Sequence, residues 1–125
     1  MSRHETWRTK EYFKKFPKDS ILLEEFMAVR RSKDNGQRLI DGLIVLKPSK
    51  KDPKNIKGKD VVVIQTKAKR LGMYLLGQAF FSTMLIKKFK PKSVRTIAIC
   101  AKSDVVMEKL AKQKGIEVVI IPDKK

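Results

Sequence analysis

The sequence predicts a single α/β domain with a mixed central sheet flanked by helices. Apolar runs rich in branched residues, typical of strands, are interspersed with segments of helical periodicity. The first three predicted strands follow one another through turn-rich loops. The later strands are separated by helices, which favours parallel pairing by right-handed crossovers. A length of 125 residues fits one domain, spanning residues 1–125.

The chain is predicted to begin with a helix over residues 2–16. Ser2 and Glu5 have the S-x-x-E spacing of a capping box. Pro17 is expected to end this helix, because proline lacks the amide hydrogen that a helix interior requires. Residues 20–31 follow as the first predicted strand, rich in branched and aromatic side chains.

Two further strands are predicted over residues 38–46 and 61–67. The dipeptide Asn35-Gly36 precedes the first of them and predicts a type I′ hairpin turn, whose two central residues need positive φ. Residues 47–60, between the two strands, contain two prolines, one glycine and six lysines. This composition predicts a basic loop rather than a regular element.

The remaining predicted elements alternate between helix and strand, over residues 70–89, 93–100, 103–115 and 116–122. Ser103 and Asp104 are expected to cap the shorter helix, and Gly115 to end it. The stretch from Leu71 to Ile86 is uncharged for 16 residues, whereas a membrane span needs about 20 apolar residues. We therefore predict a helix buried against the sheet, with apolar surface left for a partner such as a second copy, and no membrane association.

The charge is far from balanced, with 30 Lys and Arg against 13 Asp and Glu and a formal net charge of +17. Such a field favours polyanions, with nucleic acid as the leading partner. A lysine-rich surface that serves solubility alone is the alternative. Cys100 is the only cysteine, so no intrachain disulfide forms. Together with a start that lacks the apolar region of a secretory signal, this predicts a cytoplasmic location.

The third predicted strand ends in three polar residues, Gln65, Thr66 and Lys67, directly after an apolar run. Symmetric pairing with the preceding strand places residue i opposite roughly residue 107 minus i. Asp41 then falls beside Gln65 and Lys67, which share one face because side chains alternate along a strand. A carboxylate, an amide oxygen and an ammonium group are thus predicted at one end of the sheet.

This set of side chains suits metal-assisted attack on a phosphodiester. Mg²⁺ and Mn²⁺ prefer oxygen ligands and Mg²⁺ retains several waters, so Asp41, the Gln65 side-chain oxygen and the Thr66 backbone carbonyl would suffice. Lys67 would orient the attacking water or stabilise charge on the scissile phosphate. The alternative is that each residue is merely solvated at the end of a strand.

The segments "LIDGLIVL" and "VVVIQTK" resemble the PD-(D/E)XK nuclease superfamily, whose restriction-endonuclease-like core has the order α-β-β-β-α-β. Asp41 matches the aspartate of the second strand, and Gln65-Thr66-Lys67 matches the acid-x-Lys of the third. Ile40 stands where the family has proline, and Gln65 where it has an acid. The Gln-x-Lys motif is similar to that of Mrr-type restriction endonucleases. In its small size and basic charge, the chain is similar to archaeal Holliday-junction resolvases.

The resemblance implies two further site residues. The family uses a glutamate from its first helix, and Glu5 is our candidate for it. A simple capping-box role is the alternative for Glu5, and Glu11 is the next candidate. Glu24 and Glu25 are weaker candidates, because a tight hairpin turn would place them opposite residues 46–47, away from Asp41. Gln78 matches a helix glutamine that supports the site in several branches of the family. For Gln78, a buried structural hydrogen bond is the alternative.

The basic residues are predicted to bind DNA through its phosphates, largely without reading its sequence. Those nearest the predicted site are Arg30, Arg31, Lys33, Arg38, Lys69 and Arg70. A further set in the basic loop includes Lys47, Lys50 and Lys51. The predicted function is therefore a Mg²⁺- or Mn²⁺-dependent DNA endonuclease, with junction resolution by a homodimer as one form of it. Two alternatives stay open: RNA rather than DNA as the nucleic acid, and a nucleic-acid-binding protein without catalysis.

Overall fold

The computed structural model describes the backbone of residues 3–123 and the side chains of residues 7–123. Its helices and strands follow the predicted order, α-β-β-β-α-β-α-β. In chain order they are α1 (Arg3–Phe13), β1 (Ile21–Val29), β2 (Arg38–Val45), β3 (Asp60–Thr66), α2 (Met73–Lys87), β4 (Ser93–Cys100), α3 (Val105–Gln113) and β5 (Ile116–Ile120).

The five strands form one mixed sheet in the order β1-β2-β3-β4-β5. The pairs β1–β2 and β2–β3 are antiparallel, whereas β3–β4 and β4–β5 are parallel. This confirms the predicted sheet, because the two parallel pairs are those whose strands are joined through helices. Helix α1 packs on one face of the sheet, and helices α2 and α3 pack on the other.

The central strand β3 is buried on both faces, which explains its continuous apolar sequence. Val61 and Val63 pack with Ile86 of α2, and Val62 and Ile64 belong to the cluster beneath α1. All four valine and isoleucine side chains are almost completely excluded from solvent. The polar end of β3 is therefore held by a rigid, fully packed strand.

The predicted type I′ turn at Asn35-Gly36 is wrong. Strand β1 ends at Val29 and β2 begins at Arg38, so a loop over residues 30–37 joins them. Neither Asn35 nor Gly36 has the positive φ that a type I′ turn requires. The Asn35 side chain instead donates a hydrogen bond to the Arg30 carbonyl at 2.9 Å, which stabilises a wide loop.

The wide loop moves the register of β1 by several residues. Glu24 pairs with Gly42, and Phe26 pairs with Ile40. The prediction that placed Glu24 and Glu25 opposite residues 46–47 is therefore wrong. By continuation of the observed register Glu25 lies opposite Asp41, whereas the tight turn would have placed it farther away.

The helix ends differ from the predictions in ways that local contacts explain. Helix α2 begins at Met73 rather than residue 70, because the Leu71 amide donates to the Lys102 carbonyl at 2.8 Å and holds this segment extended. Asp104 caps α3 by accepting a hydrogen bond from the Met107 amide at 3.0 Å, and Gly115 follows with φ 71°, both as predicted.

The predicted first helix is only partly observed. The structure ends α1 at Phe13, ahead of Pro17, and the residues between them form turns. The predicted capping box lies outside the described residues, because Ser2 and the side chain of Glu5 are not among them. Within the described part of the chain, no helix is long and apolar enough to cross a membrane.

Candidate metal and nucleic-acid site

The strands β2 and β3 separate at the position where the sequence placed the site. Their last backbone pair in this direction is Gly42 with Ile64. Beyond it, the Asp41 carboxylate accepts a hydrogen bond from the Thr66 amide, with 2.9 Å between Oδ2 and N. The carboxylate thus takes the place of a strand acceptor, which brings Asp41 to the polar end of β3. The ladder runs one residue out of the predicted register, so that by continuation Asp41 lies opposite Gln65 while its side chain contacts the Thr66 amide.

Helix α2 orients the side chain of Gln65. This side chain is only 3% exposed, and its amide nitrogen donates to the Ser82 hydroxyl at 2.6 Å. A buried amide without partners would cost about 1–3 kcal/mol, so this hydrogen bond fixes the orientation of the group. With the nitrogen on Ser82, the amide oxygen is the atom that Gln65 can offer to a cation.

Helix α1 seats closely on the opposite face at the same point. The hydroxyls of Thr9 and Thr66 lie 2.9 Å apart, and both side chains are buried. A Cβ added at Gly42 would lie 2.8 Å from the Thr9 methyl carbon, which is closer than real contacts allow. Glycine at position 42 therefore lets α1 approach β2 directly beside Asp41. The sequence analysis did not include Thr9, since a threonine in a helix carries no distinguishing pattern.

Lys67 follows β3 and is half-buried. Its backbone amide donates to the Ile99 carbonyl at 2.9 Å, which continues the β3–β4 pairing. Its ammonium nitrogen lies 5.2 Å from the centre of the Tyr74 ring. A cation over an aromatic face gains about 0.5–1 kcal/mol at an exposed site, so the ring holds the lysine near the end of β3.

The acidic residues around Asp41 are few. In the part of the chain whose side chains are described, no three His, Cys, Asp or Glu residues are grouped as a metal cluster would require. Glu5 lies in α1, and its side chain lies outside the described residues. Glu25 has φ 51°, an unusual backbone for a residue other than glycine. Its position opposite Asp41 makes it a stronger candidate for the further acid of the site than the predicted turn had indicated.

A pocket of about 620 Å³ opens between the start of β2 and helix α2. We call it the α2 pocket. Its lining includes Gln65 and Gln78, together with Ser82, which orients Gln65. The remaining lining residues are Arg38, Leu39, Ile40, Met73, Tyr74, Gly77, Phe81 and Leu85. Gln78 thus lies on the side of α2 that faces the candidate site.

The basic residues divide between the two ends of the sheet. Arg30, Arg31, Lys33, Arg38, Lys69 and Arg70 are exposed and lie in or beside the segments that flank the Asp41 end of β2 and β3. Lys47, Lys50 and Lys51 are also exposed but lie in the β2–β3 loop, at the opposite end of both strands. The structure therefore gathers the first set around the candidate site and separates the second set from it.

The single cysteine belongs to the core. Cys100 is buried in the cluster that joins α2 and α3 to the sheet. Burial raises the pKa of its thiol, which disfavours the reactive thiolate. Cys100 therefore acts as a small hydrophobic residue of the core.

A mixed five-stranded sheet with helices on both faces makes this an α/β fold. Two solved structures share it over the whole of this chain: EndoMS in its apo form and EndoMS in a complex with double-stranded DNA. The TM-scores are 0.58 and 0.61, and the sequence identity is 13% in both cases.

The chain spans about half the length of these neighbours, 49% of apo EndoMS and 47% of EndoMS in the DNA complex. At this identity the likeness establishes the fold. No family model matches the sequence, and no curated protein does either.

Proposed function

We propose that this chain is a metal-dependent DNA endonuclease of the PD-(D/E)XK type, in its Gln-x-Lys form, and that it hydrolyses phosphodiester bonds. The observation that carries the proposal is the hydrogen bond from the Thr66 amide to Asp41. It joins the start of β2, which carries Asp41, to the end of β3, where Gln65 and Lys67 flank Thr66 in sequence. EndoMS, whose fold this chain shares, is a DNA endonuclease, which supports the same class of reaction here.

The side chains at this point fit a hard divalent cation. Asp41, the Gln65 amide oxygen and the Thr66 backbone carbonyl would hold Mg²⁺ or Mn²⁺, with Glu5 or Glu25 as a further acid. Oxygen donors of this kind suit such ions, and water supplies the remaining ligands of Mg²⁺. When bound, the metal would polarise a phosphoryl oxygen and lower the pKa of a bound water.

The protein's own residues would orient the reacting groups. The Thr66 amide holds one oxygen of Asp41, and Ser82 holds the nitrogen of Gln65, so neither side chain needs to reorganise for the reaction. Lys67 would place its positive charge on the scissile phosphate or on the attacking water. Preorganised groups of this kind lower the barrier because their ordering is complete before the reaction begins.

The exposed basic residues near the Asp41 end are proposed to bind DNA phosphates. A net charge of +17 favours such binding, and one of the structural neighbours is a complex with double-stranded DNA. Lys47, Lys50 and Lys51 would contact phosphates farther along the nucleic acid, because they lie at the other end of the sheet. The experiment below also tests RNA substrates, since contacts to phosphates alone do not distinguish RNA from DNA.

A homodimer is part of this proposal where the substrate is a junction, because two strands must be cut. The outward side of α2 supports it. Met84 is 49% exposed and Phe80 36%. These two residues, which we call the outer stripe, carry no charge in a chain that is otherwise strongly basic. A second copy could pack there without bringing like charges together.

A nucleic-acid-binding protein without catalysis is the second candidate. It is favoured by the amide at position 65, because a neutral oxygen binds a cation more weakly than a carboxylate does. No three His, Cys, Asp or Glu residues are grouped among the described side chains, which points the same way. Binding without cleavage in the experiment below would select this candidate.

The experiment is cleavage of labelled linear duplex, four-way-junction and single-stranded DNA, and of matched RNA, with Mg²⁺ or Mn²⁺. Asp41→Ala and Lys67→Ala should each abolish cleavage. The matched controls are Asp52→Ala and Lys109→Ala, which replace exposed residues of the same types away from the site. The nuclease proposal fails if wild type leaves every substrate intact, or if the site variants cut as well as the controls.

A further inference from the structure

Helix α2 presents two different apolar surfaces. The outer stripe points away from the sheet, whereas Tyr74, Gln78, Phe81 and Leu85 line the α2 pocket. Tyr74 is 72% exposed and Phe81 is 65% exposed, although both are large aromatic residues beside a pocket. Aromatic rings left open at the mouth of a pocket offer stacking surface to a planar ligand.

The pocket contains one polar group whose hydrogen-bonding capacity is unused. The side-chain oxygen of Gln78 is buried and has no hydrogen-bond partner among the described residues. A buried acceptor without a donor is unfavourable, so turning the Gln78 amide towards an incoming N–H group would be favourable. The ligand that fits best therefore carries N–H donors on an otherwise apolar, flat body.

The charges around the pocket indicate which chemical group the flat ligand carries. Arg38 lines the pocket and is exposed, and the Lys67 ammonium lies 5.2 Å from the Tyr74 ring. No acidic side chain is among the described residues that line the pocket. A flat ligand bearing an anionic group would thus meet a cation on either side of the opening.

The position of the pocket relates it to the candidate metal site. Gln65 contributes both to the pocket and to the proposed metal ligands, so a ligand in the pocket lies next to the phosphate that would be cut. A volume of about 620 Å³ is ample for a nucleoside. In a continuous nucleic-acid strand, the base next to that phosphate is the group that can reach the α2 pocket.

We infer that the α2 pocket receives one unpaired nucleobase of the DNA strand, next to the scissile phosphate, stacked on Phe81 and Tyr74 and hydrogen-bonded to Gln78. This inference rests on the proposed function, because it needs DNA at the Asp41 end of the sheet. It adds a requirement for an unpaired base, which phosphate contacts and a metal site do not impose. The pocket would direct the enzyme to single strands, bulges or unpaired positions.

The test compares two residues of α2. Phe81 lines the pocket, whereas Met84 belongs to the outer stripe. Phe80 is left unchanged, because its ring packs edge-to-face on that of Phe81. Fluorescence anisotropy would measure binding in Ca²⁺ of two duplexes, one with a single unpaired adenosine and the other with an abasic residue in its place. Phe81→Ala should weaken binding of the first duplex about 5- to 150-fold, the range of one lost base–aromatic stack. Met84→Ala should bind like wild type, and neither variant should change binding of the abasic duplex.

Three outcomes would overturn the inference. Equal affinities of Phe81→Ala and wild type for the unpaired adenosine would show that no base stacks there. Equal losses for the adenosine and abasic duplexes would show that Phe81 acts on the fold or the phosphates. Sedimentation could instead show that both variants are monomers while their affinity for DNA is unchanged. This result would assign the exposed surface of α2 to packing against a second copy.

The same measurements separate this inference from the proposed function. If wild type binds neither duplex, both fail. If wild type binds and cleaves DNA while Phe81→Ala is unchanged, only the pocket inference fails. If the unpaired base is bound as predicted but no substrate is cut in Mg²⁺ or Mn²⁺, the pocket stands and the nuclease proposal fails. Gln78→Leu serves as a second variant and should weaken binding of the adenosine duplex alone.

Discussion

Gly42→Ala tests whether α1 is seated directly on the segment that carries Asp41. The new Cβ would lie 2.8 Å from the Thr9 methyl carbon and 3.3 Å from a methyl of Leu22. The leucine methyl is the end of a flexible side chain and can shift, whereas Thr9 is fixed by its hydroxyl contact with Thr66. Overpacking of this kind costs about 1–3 kcal/mol, so the free energy of unfolding should fall by that amount.

The second change in this prediction is Thr9→Ser, which removes the clashing methyl and keeps the hydroxyl. Alone it should cost about 1 kcal/mol, the value of a buried methyl group. In the double variant, the alanine occupies the space that the methyl has left. The double variant should therefore be more stable than the sum of the two single changes predicts, by at least about 1 kcal/mol.

Urea denaturation of the four proteins measures this coupling, with Gly77→Ala as the control. Gly77 lies inside α2 with no atom within 4 Å of an added Cβ, so alanine there should stabilise the protein by up to about 1 kcal/mol through helix propensity. Strictly additive effects of Gly42→Ala and Thr9→Ser would refute the close seating of α1 beside Asp41.

Three further predictions concern the surroundings of the site. Ser82→Ala should lower both the free energy of unfolding, by about 1–3 kcal/mol, and the single-turnover cleavage rate, because it removes the acceptor that orients Gln65; unchanged cleavage would contradict this role. Arg38→Ala and Lys69→Ala should each reduce the slope of log affinity against log salt by about 0.7–0.9, measured by anisotropy, and unchanged slopes would remove these residues from the DNA contacts. Burial raises the pKa of the Cys100 thiol, so its contribution to stability is complete below the unfolded pKa of about 8.5 and declines above it. Urea denaturation from about pH 7 to 10 should show a steeper decline for wild type than for Cys100→Ala, and equal declines would contradict this origin.

The element order and the parallel pairs could be predicted because they depend on local patterns. Branched apolar runs and helical periodicity fix the elements, and the connections fix which strands run parallel. The placement of Asp41 beside the polar end of β3 was also predictable, since the β2–β3 loop is nearly symmetric about its centre. The actual register differs by one residue, and the Asp41 side chain spans the difference by reaching the Thr66 amide.

The error at Asn35-Gly36 arose because a turn dipeptide was taken to set the strand ends. In the structure β1 ends at Val29 rather than residue 31, and the asparagine side chain stabilises a wider loop instead. The error extended beyond the turn, because the register of β1 depends on it. Glu25 was ranked as a weaker candidate for this reason, although the observed pairing places it opposite Asp41.

The partners that hold the site come from distant parts of the chain, and no local pattern marks them. Thr9 and Ser82 are ordinary helix residues until the fold brings them to Thr66 and Gln65. Arg8 is a stronger example: in sequence it reads as a solvated helix residue, yet its side chain is fully buried. It donates to the Ile121 carbonyl at 2.7 Å, 113 residues along the chain.

The most direct test of the central claim is the Mn²⁺ dependence of single-turnover cleavage by wild type and Asp41→Asn. The asparagine oxygen can still accept the Thr66 hydrogen bond, so the fold and the separation of β2 and β3 should be retained, as urea denaturation would verify. The negative charge that a cation needs is lost. The account predicts cleavage that rises with Mn²⁺ in wild type and none at any Mn²⁺ concentration in Asp41→Asn. Cleavage by the folded variant at the wild-type rate would contradict it.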